Sequence, residues 1–231
     1  VVELSTTIDS RAEILAAIRA RLRESEPHDD PYLRSHATPP SPAEPEPREL
    51  SRASLLDQFK ERLAAVGGQC RVVTDEIQAA TVLSEIVKKS GAQQLAISDS
   101  SRVARLAAGL SRGLTVLSQP VAAELFACDV GISTAQWAIA ESGTLVLESD
   151  RERHRLVSLV PPVHIAILDV RRIRRTMAEI LHEIHRTESG LSRAVTFITG
   201  TSRTSDIELT LAIGVHGPAE LHVIIIQGGA E

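Results

Sequence analysis

The segment "TFITGTSRTSDIELTLAIGVHGP", Thr196 to Pro218, decides how this chain is read. An apolar run gives way to Gly200-Thr201-Ser202-Arg203-Thr204-Ser205-Asp206, and Glu208, His216 and two glycines follow before the last apolar run. Hydroxyls, a forked cation and backbone N–H groups crowded where a strand passes into a helix suit the capture of an anion. Ser205 and Glu208 also stand at capping-box spacing, with Asp206 in a first helical turn, so a plain cap can be built from the same residues. The two readings are compatible, because a cap can border a pocket. The expectation is a helix beginning near Ser205 and one wall of an anion site formed by Gly200, Ser202, Arg203, Thr204 and Asp206. Ligand crevices in open α/β sheets lie outside the carboxyl ends of strands, and this loop is expected to leave such an end. The segment matches neither the phosphate loop G-x-x-x-x-G-K-[ST] nor the dinucleotide fingerprint G-x-G-x-x-G.

Working outward, strand and helix patterns alternate from Ser51 onward. "LLDQFKERLAAVG" is helical and "CRVVTD" is a short strand; "EIQAATVLSEIVKKSG" is a helix stopped by Gly91 and "QLAISD" a strand; "SRVARLAAGLSRG" is helical and "LTVLS" a strand. That order predicts a largely parallel sheet covered by helices. "WAIAESGTLVLES" interrupts it with two apolar runs about Ser142-Gly143, a hairpin signal. "VHIAILDV" is a buried strand, "IRRTMAEILHEIHR" a helix, "AVTFIT" a strand and "LHVIII" the final strand. The fold expected is α/β: a mixed, mostly parallel sheet with helices on both faces and an antiparallel hairpin set into a doubly wound core.

The first 50 residues are expected to be an appendage to a domain spanning 51–231. "DSRAEILAAIRARLRES" pairs Ser10 with Glu13 at capping-box spacing and sets Ile14, Leu15, Ile18 and Leu22 in one apolar stripe. Seven of the chain's eleven prolines then fall between Pro27 and Pro47, which reads as an extended linker.

Composition excludes several functions. A net charge of −5 over 231 residues is no electrostatic footprint for nucleic acid, and aromatic residues at 2% leave no stacking platform for single strands. Cys70 and Cys128 are the only two cysteines and are far apart, so they form no zinc or iron–sulfur spacing. No apolar run reaches the roughly 18–20 residues of a membrane span. The first residues lack the basic start and apolar core of a signal peptide, so a cytoplasmic protein is expected.

Three residues are candidates for acid–base work. Glu141 ends an apolar strand beside a tight turn, where a carboxylate can act as base or as ligand for a substrate hydroxyl. His164 lies within an apolar strand, where a hydrogen-bonded core histidine is the plainer reading. His216 is bracketed by glycines in "GVHGP", which could equally be a simple loop. Asp206, Glu208 and His216 fit no metal-ligand spacing, so no metal site is expected. The run Arg171–Arg175 reads as a solvated helix start.

Taken together, "VGISTAQWAIAESGTLVLES", "RLVSLVPPVHIAIL", "TFITGTSRTSDIELTLAIGVHGPAELHVIII" and the N-terminal "SRAEILAAIRARL" resemble the lactate-utilization protein C family, built on the LUD domain. The resemblance runs in order through most of 51–231. Thr201 stands where the family often has proline, and Ser142 where threonine is usual. The resemblance implies a NagB/RpiA/CoA-transferase-like fold, close to 5-formyltetrahydrofolate cyclo-ligase. It also implies a part in oxidising L-lactate to pyruvate alongside partner proteins, at least one with iron–sulfur clusters. With two isolated cysteines, any such cluster is expected in a partner and no cofactor in this chain. Either the chain is a component of the lactate-oxidising enzyme with a pocket for a small carboxylate or phosphorylated ligand, or it is a non-catalytic assembly or regulatory subunit with an enzyme-like fold. Isomerase, transferase or ligase chemistry on a phosphorylated or CoA-type substrate ranks lower, resting on fold analogy alone. Self-association is left open.

Overall fold

Unbroken runs of Val, Ile and Leu cannot present one face to water, so they settle where both faces are covered. Val163–Asp169 is buried at all seven positions, and Glu220–Ile226 at every position after the first. The structure, a computed structural model, describes residues 10–24, 51–110, 113–118, 120–150, 155–185, 192–205 and 211–228. Its main sheet has six strands: β1 (Gly68–Val73), β2 (Gln94–Ile97), β3 (Thr115–Leu117), β4 (Val130–Thr134), β7 (Val163–Asp169) and β12 (Glu220–Ile226). They lie in the order β1-β12-β7-β4-β2-β3, and every pairing is parallel. In this register Ile165 of β7 stands between His222 of β12 and Ile132 of β4.

Alternate residues divide the sheet into two faces. Ile132, Ile165, Ile167, Ile224 and Ile226 meet Ala79, Leu83 and Val87 of helix α3 (Glu76–Lys89) and Val103 and Leu106 of helix α4 (Ser101–Ala107). Asp75 caps α3, its Oδ1 accepting from the Gln78 N–H at 2.9 Å. On the opposite face Ala166, Leu168, Leu221, Val223 and Ile225 pack against Phe59 and Leu63 of helix α2 (Arg52–Ala65).

Beside α2 on that face lies a second sheet, ordered β8-β5-β6-β9, of β5 (Trp137–Ile139), β6 (Thr144–Glu148), β8 (Ile173–Arg174) and β9 (Val195–Ile198). Ala138, Leu145 and Leu147 point inward to the core shared with α2. Trp137, Ile139 and Val146 point outward and are covered by Ile180 and Ile184 of helix α6 (Met177–His185). The α/β architecture expected from the sequence, mostly parallel and with helices on both faces, is therefore present. The hairpin about Ser142-Gly143 belongs to the second sheet rather than to the parallel one.

The helix expected to start near Ser205 is not what the structure holds. β10 (Arg203–Ser205) pairs antiparallel with β11 (Leu211–Ile213), placing Ser205 opposite Leu211. Pairing with Leu211–Ile213 takes Ser205 as a strand residue, and ladder hydrogen bonds there outweigh the capping-box spacing; 206–210 lie outside the described residues.

The chain divides into two units, Val1–Glu49 and Leu50–Glu231. In the first, helix α1 (Ser10–Glu24) leaves Ile14, Leu15 and Ile18 of its apolar stripe exposed. The proline-rich segment lies outside the described residues.

Two glycines allow the second sheet to close on α2. Gly143, at φ +67°, turns the β5–β6 hairpin so tightly against α2 that a Cβ there would overlap the Leu63 backbone nitrogen. Gly200, at φ +79°, comes equally close to the Val66 carbonyl oxygen. Gly143→Ala is expected to cost about 2–4 kcal/mol, from left-handed strain plus a backbone clash. Urea unfolding measures this; a midpoint equal to wild type would show that the hairpin shifts freely.

Candidate functional site

The loop after β9 is fixed by its own backbone. The Thr201 N–H donates to the Val66 carbonyl at 3.3 Å and the Ser202 N–H to the Pro218 carbonyl at 2.9 Å, while the Ser202 carbonyl accepts from the Gly214 N–H at 3.0 Å. Two of the amides expected to face an anion thus close loops of the chain instead. Pro218 precedes β12, Gly67 precedes β1, and Pro162, which precedes β7, accepts from the Ala219 and Glu220 N–H groups. The loop therefore lies at the amino ends of the parallel strands, not at the carboxyl end expected, because β9 pairs with β6 of the second sheet.

Around this loop the sequence candidates fall into different settings. Arg203 is exposed, with Nη2 3.2 Å and Thr201 Oγ1 3.1 Å from the point a Gly67 Cβ would occupy. Ser202 packs beside Gly217, which brings "GVHGP" to the loop, and His216 is exposed there. Thr204 contributes its backbone to β10, and Asp206 lies outside the described residues. A chain of hydroxyls, Ser142 to Thr144 at 2.7 Å and Thr144 to Thr199 at 2.8 Å, joins the hairpin turn to the strand end before Gly200.

Glu141 is exposed and already employed. Its Oε1 accepts from the Met177 N–H at 3.1 Å, satisfying a donor at the start of α6, and its own N–H donates to the Arg175 carbonyl. His164 sits on β7 with no exposure, and its Nε2 lies 2.8 Å from the Ser133 hydroxyl of β4. Burial pushes its pKa from 6.5 down to about 3, so the ring is neutral near neutral pH. The structure brings Ser142, Thr144, Thr199, Gly200 and Ser202 to the end of α2, while His164 lies within the main sheet.

Sequence reasoning missed a cleft at the other end of that sheet. A cavity of about 690 Å³ opens where β2, β4 and β7 terminate, with Ser100, Thr134 and Asp169 on its walls. Asp169 is gripped by Arg171: Nε donates to Oδ1 at 2.9 Å, Nη2 to Oδ2 at 2.8 Å, and the Arg171 N–H to Oδ1 at 2.9 Å. Burial works to raise the Asp169 pKa, but the Arg171 hydrogen bonds, with the charges of Arg171 and Arg102, outweigh it and hold the carboxyl below its usual range. Arg102 donates to Glu76 at 3.0 Å. The Trp137 indole N–H donates to buried Glu148 at 3.0 Å, and the guanidinium carbons of Arg172 and Arg174 lie 4.8 and 4.9 Å from the Trp137 ring centroid. The arginine run is thus no solvated helix start: Arg171 and Arg172 form a 3-10 turn and Arg174 belongs to β8. The available signal was their place directly after a largely apolar strand, at its carboxyl end.

The LUD domain matches residues 56–226 of the chain. The lactate utilization protein C of Deinococcus radiodurans is 30% identical over 227 residues, 96% of this chain and 98% of that one. This chain belongs to the LUD domain family of lactate utilization C proteins. An uncharacterized protein of Neisseria meningitidis serogroup B is 42% identical over 98 residues, a stretch covering 42% of each chain. The crystal structure of a DUF162 family protein from D. radiodurans superposes with a TM-score of 0.60 at 25% identity, covering 77% of this chain and 99% of that one. Among the described residues of this LUD chain, no three His, Cys, Asp or Glu side chains are grouped to hold a metal ion, and no helix is long and apolar enough to cross a membrane. Both cysteines are free thiols; burial raises Cys128 and pushes Cys70 up to about 11, against a smaller lowering by Lys60.

The His164 shift carries a definite pH sign. Below 6.5 the unfolded chain takes up a proton that the folded chain refuses until about 3, so stability from this residue is lost as pH falls through that window. Urea midpoints at about pH 7 and about pH 4.5 should therefore differ less in His164→Gln than in wild type. An identical difference in both proteins would show that His164 titrates normally.

Proposed function

We propose that this chain is an assembly or regulatory subunit of an L-lactate utilization system, in which iron–sulfur partner proteins carry the oxidation of L-lactate to pyruvate. The kinship with a protein named for lactate utilization, over nearly the full length of both, supports the pathway. The observation that carries the subunit's role is the employment of the acid–base candidates: Glu141 satisfies the start of α6, and His164 is sealed in the sheet against Ser133. The purified chain should reduce no dye acceptor with L-lactate, and reconstitution with its iron–sulfur partners should require it. Glu141→Gln keeps an oxygen for the Met177 N–H and should leave reconstituted turnover within about twofold, where loss of a general base would cost roughly a hundredfold or more. Lactate-dependent turnover by the chain alone would refute the proposal.

A second reading is favoured by Arg203, an exposed cation beside Thr201 with no carboxylate partner among the described residues. In it the loop Gly200–Asp206, with Ser202, Arg203 and Thr204 as contacts, holds a small carboxylate or phosphorylated anion, and Glu141 or His216 does acid–base work. This reading expects Arg203→Ala to weaken binding of lactate, pyruvate or phosphate about ten- to a hundredfold, as a lost forked ion pair does. Calorimetric titrations indistinguishable from wild type would reduce the loop to a turn.

A further inference from the structure

We propose that the cleft at the carboxyl ends of β2, β4 and β7 binds a purine nucleoside monophosphate, with Arg172 and Ser100 as its polar contacts. The location is the one where open parallel sheets form ligand crevices. Most of the cleft's polar groups are already engaged. Asp169 is held by Arg171, Arg102 by Glu76, Glu148 by the Trp137 indole and Ser192, and the Gln136 amide by Thr134 and the Glu148 N–H. Arg172 and Ser100 have no hydrogen bond or ion pair from their side chains among the described residues. Two residues before Ser100, the buried Ser98 hydroxyl is also unpartnered.

Arg172 is prepared for an oxyanion. A guanidinium lying over an indole spends its face on the ring and keeps its in-plane N–H fork for a ligand. The cleft's walls carry Arg102, Arg171 and Arg172 against Glu148 and Asp169, an excess of one positive charge. The cavity of about 690 Å³ is far roomier than a three-carbon acid needs and falls in the range that encloses drug-sized ligands. Ala135 and the Trp137 edge supply an apolar strip for a flat base. The turn from β2 into α4 is Ser98-Asp99-Ser100, without the glycines that let a backbone approach a pyrophosphate. The inference rests on the regulatory-subunit reading for its purpose, since such a ligand would report metabolic state, but its chemistry stands on the cleft.

Trp137 is the chain's only tryptophan, so emission excited at the red edge, where Tyr32 does not absorb, reads this cleft. AMP and GMP are titrated into the full chain by calorimetry and fluorescence, with inorganic phosphate, pyruvate and adenosine as comparators. At least one nucleotide should bind about tenfold or more tighter than any comparator and change Trp137 emission. Arg172→Gln should weaken it about tenfold or more and Arg172→Lys less. Ser100→Ala, at the opposite wall, should also weaken it, and serves if the Arg172 variants do not fold. Nucleotides binding no tighter than phosphate, or binding indifferent to both Arg172 and Ser100, would overturn the proposal. Lactate turnover by the isolated chain would refute the regulatory role while leaving these titrations intact, so the two failures are separable.

Discussion

The second sheet is held in place by how closely two turns approach the last turns of α2. The hairpin at Gly143 and the loop at Gly200 both press backbone against backbone there, with no room for a Cβ on either. The hydroxyls of Ser142, Thr144 and Thr199 link the two turns from the side, so neither is positioned alone. From this junction β5 and β6 run with Trp137, Ile139 and Val146 outward, which gives α6 an apolar surface to cover. Glu141 then fixes where α6 begins. The placement of Trp137, and with it the wall of the carboxyl-end cleft, follows from a contact made at the opposite end of the strands.

The parts of the fold legible in the sequence were those where one local signal had no competitor. Largely apolar runs at Val163–Leu168 and Leu221–Ile226, each interrupted only by a histidine, marked inner strands, and Gly91 marked a helix end. At Ser205 the capping-box spacing was the signal read, and β-pairing of Arg203–Ser205 with Leu211–Ile213 prevailed over it. The candidate site was less legible, because it depends on distance. Glu141 caps a helix whose first residue lies 36 positions away, and the cleft gathers the ends of three strands that are separated in sequence. An arginine's role there is decided by its neighbours: Arg171 by Asp169, Arg174 by Glu183, Arg172 by Trp137.

His164 illustrates how the sheet restricts chemistry. In the parallel register it faces Gly131 on one side and Leu221 on the other, and the Gly131 position is closed by the Val157 carbonyl. A charged imidazole there would have no water to solvate it, and Ser133 is the partner its Nε2 finds. The residue is better understood as a polar link between β4 and β7 than as a group able to exchange protons with a substrate.

The order of the main sheet has a consequence for how the chain is made. β12 is the last of the six strands in chain order, yet it is inserted between β1 and β7 and is hydrogen-bonded on both sides. Until it pairs, β1 has no neighbour in the sheet and β7 presents an open, largely apolar edge. Parallel pairings between distant segments form slowly, and unpaired edges invite association with other chains. A chain in which β12 has not yet joined is therefore a split sheet rather than a smaller domain, and β12 acts as the closing stave of the fold.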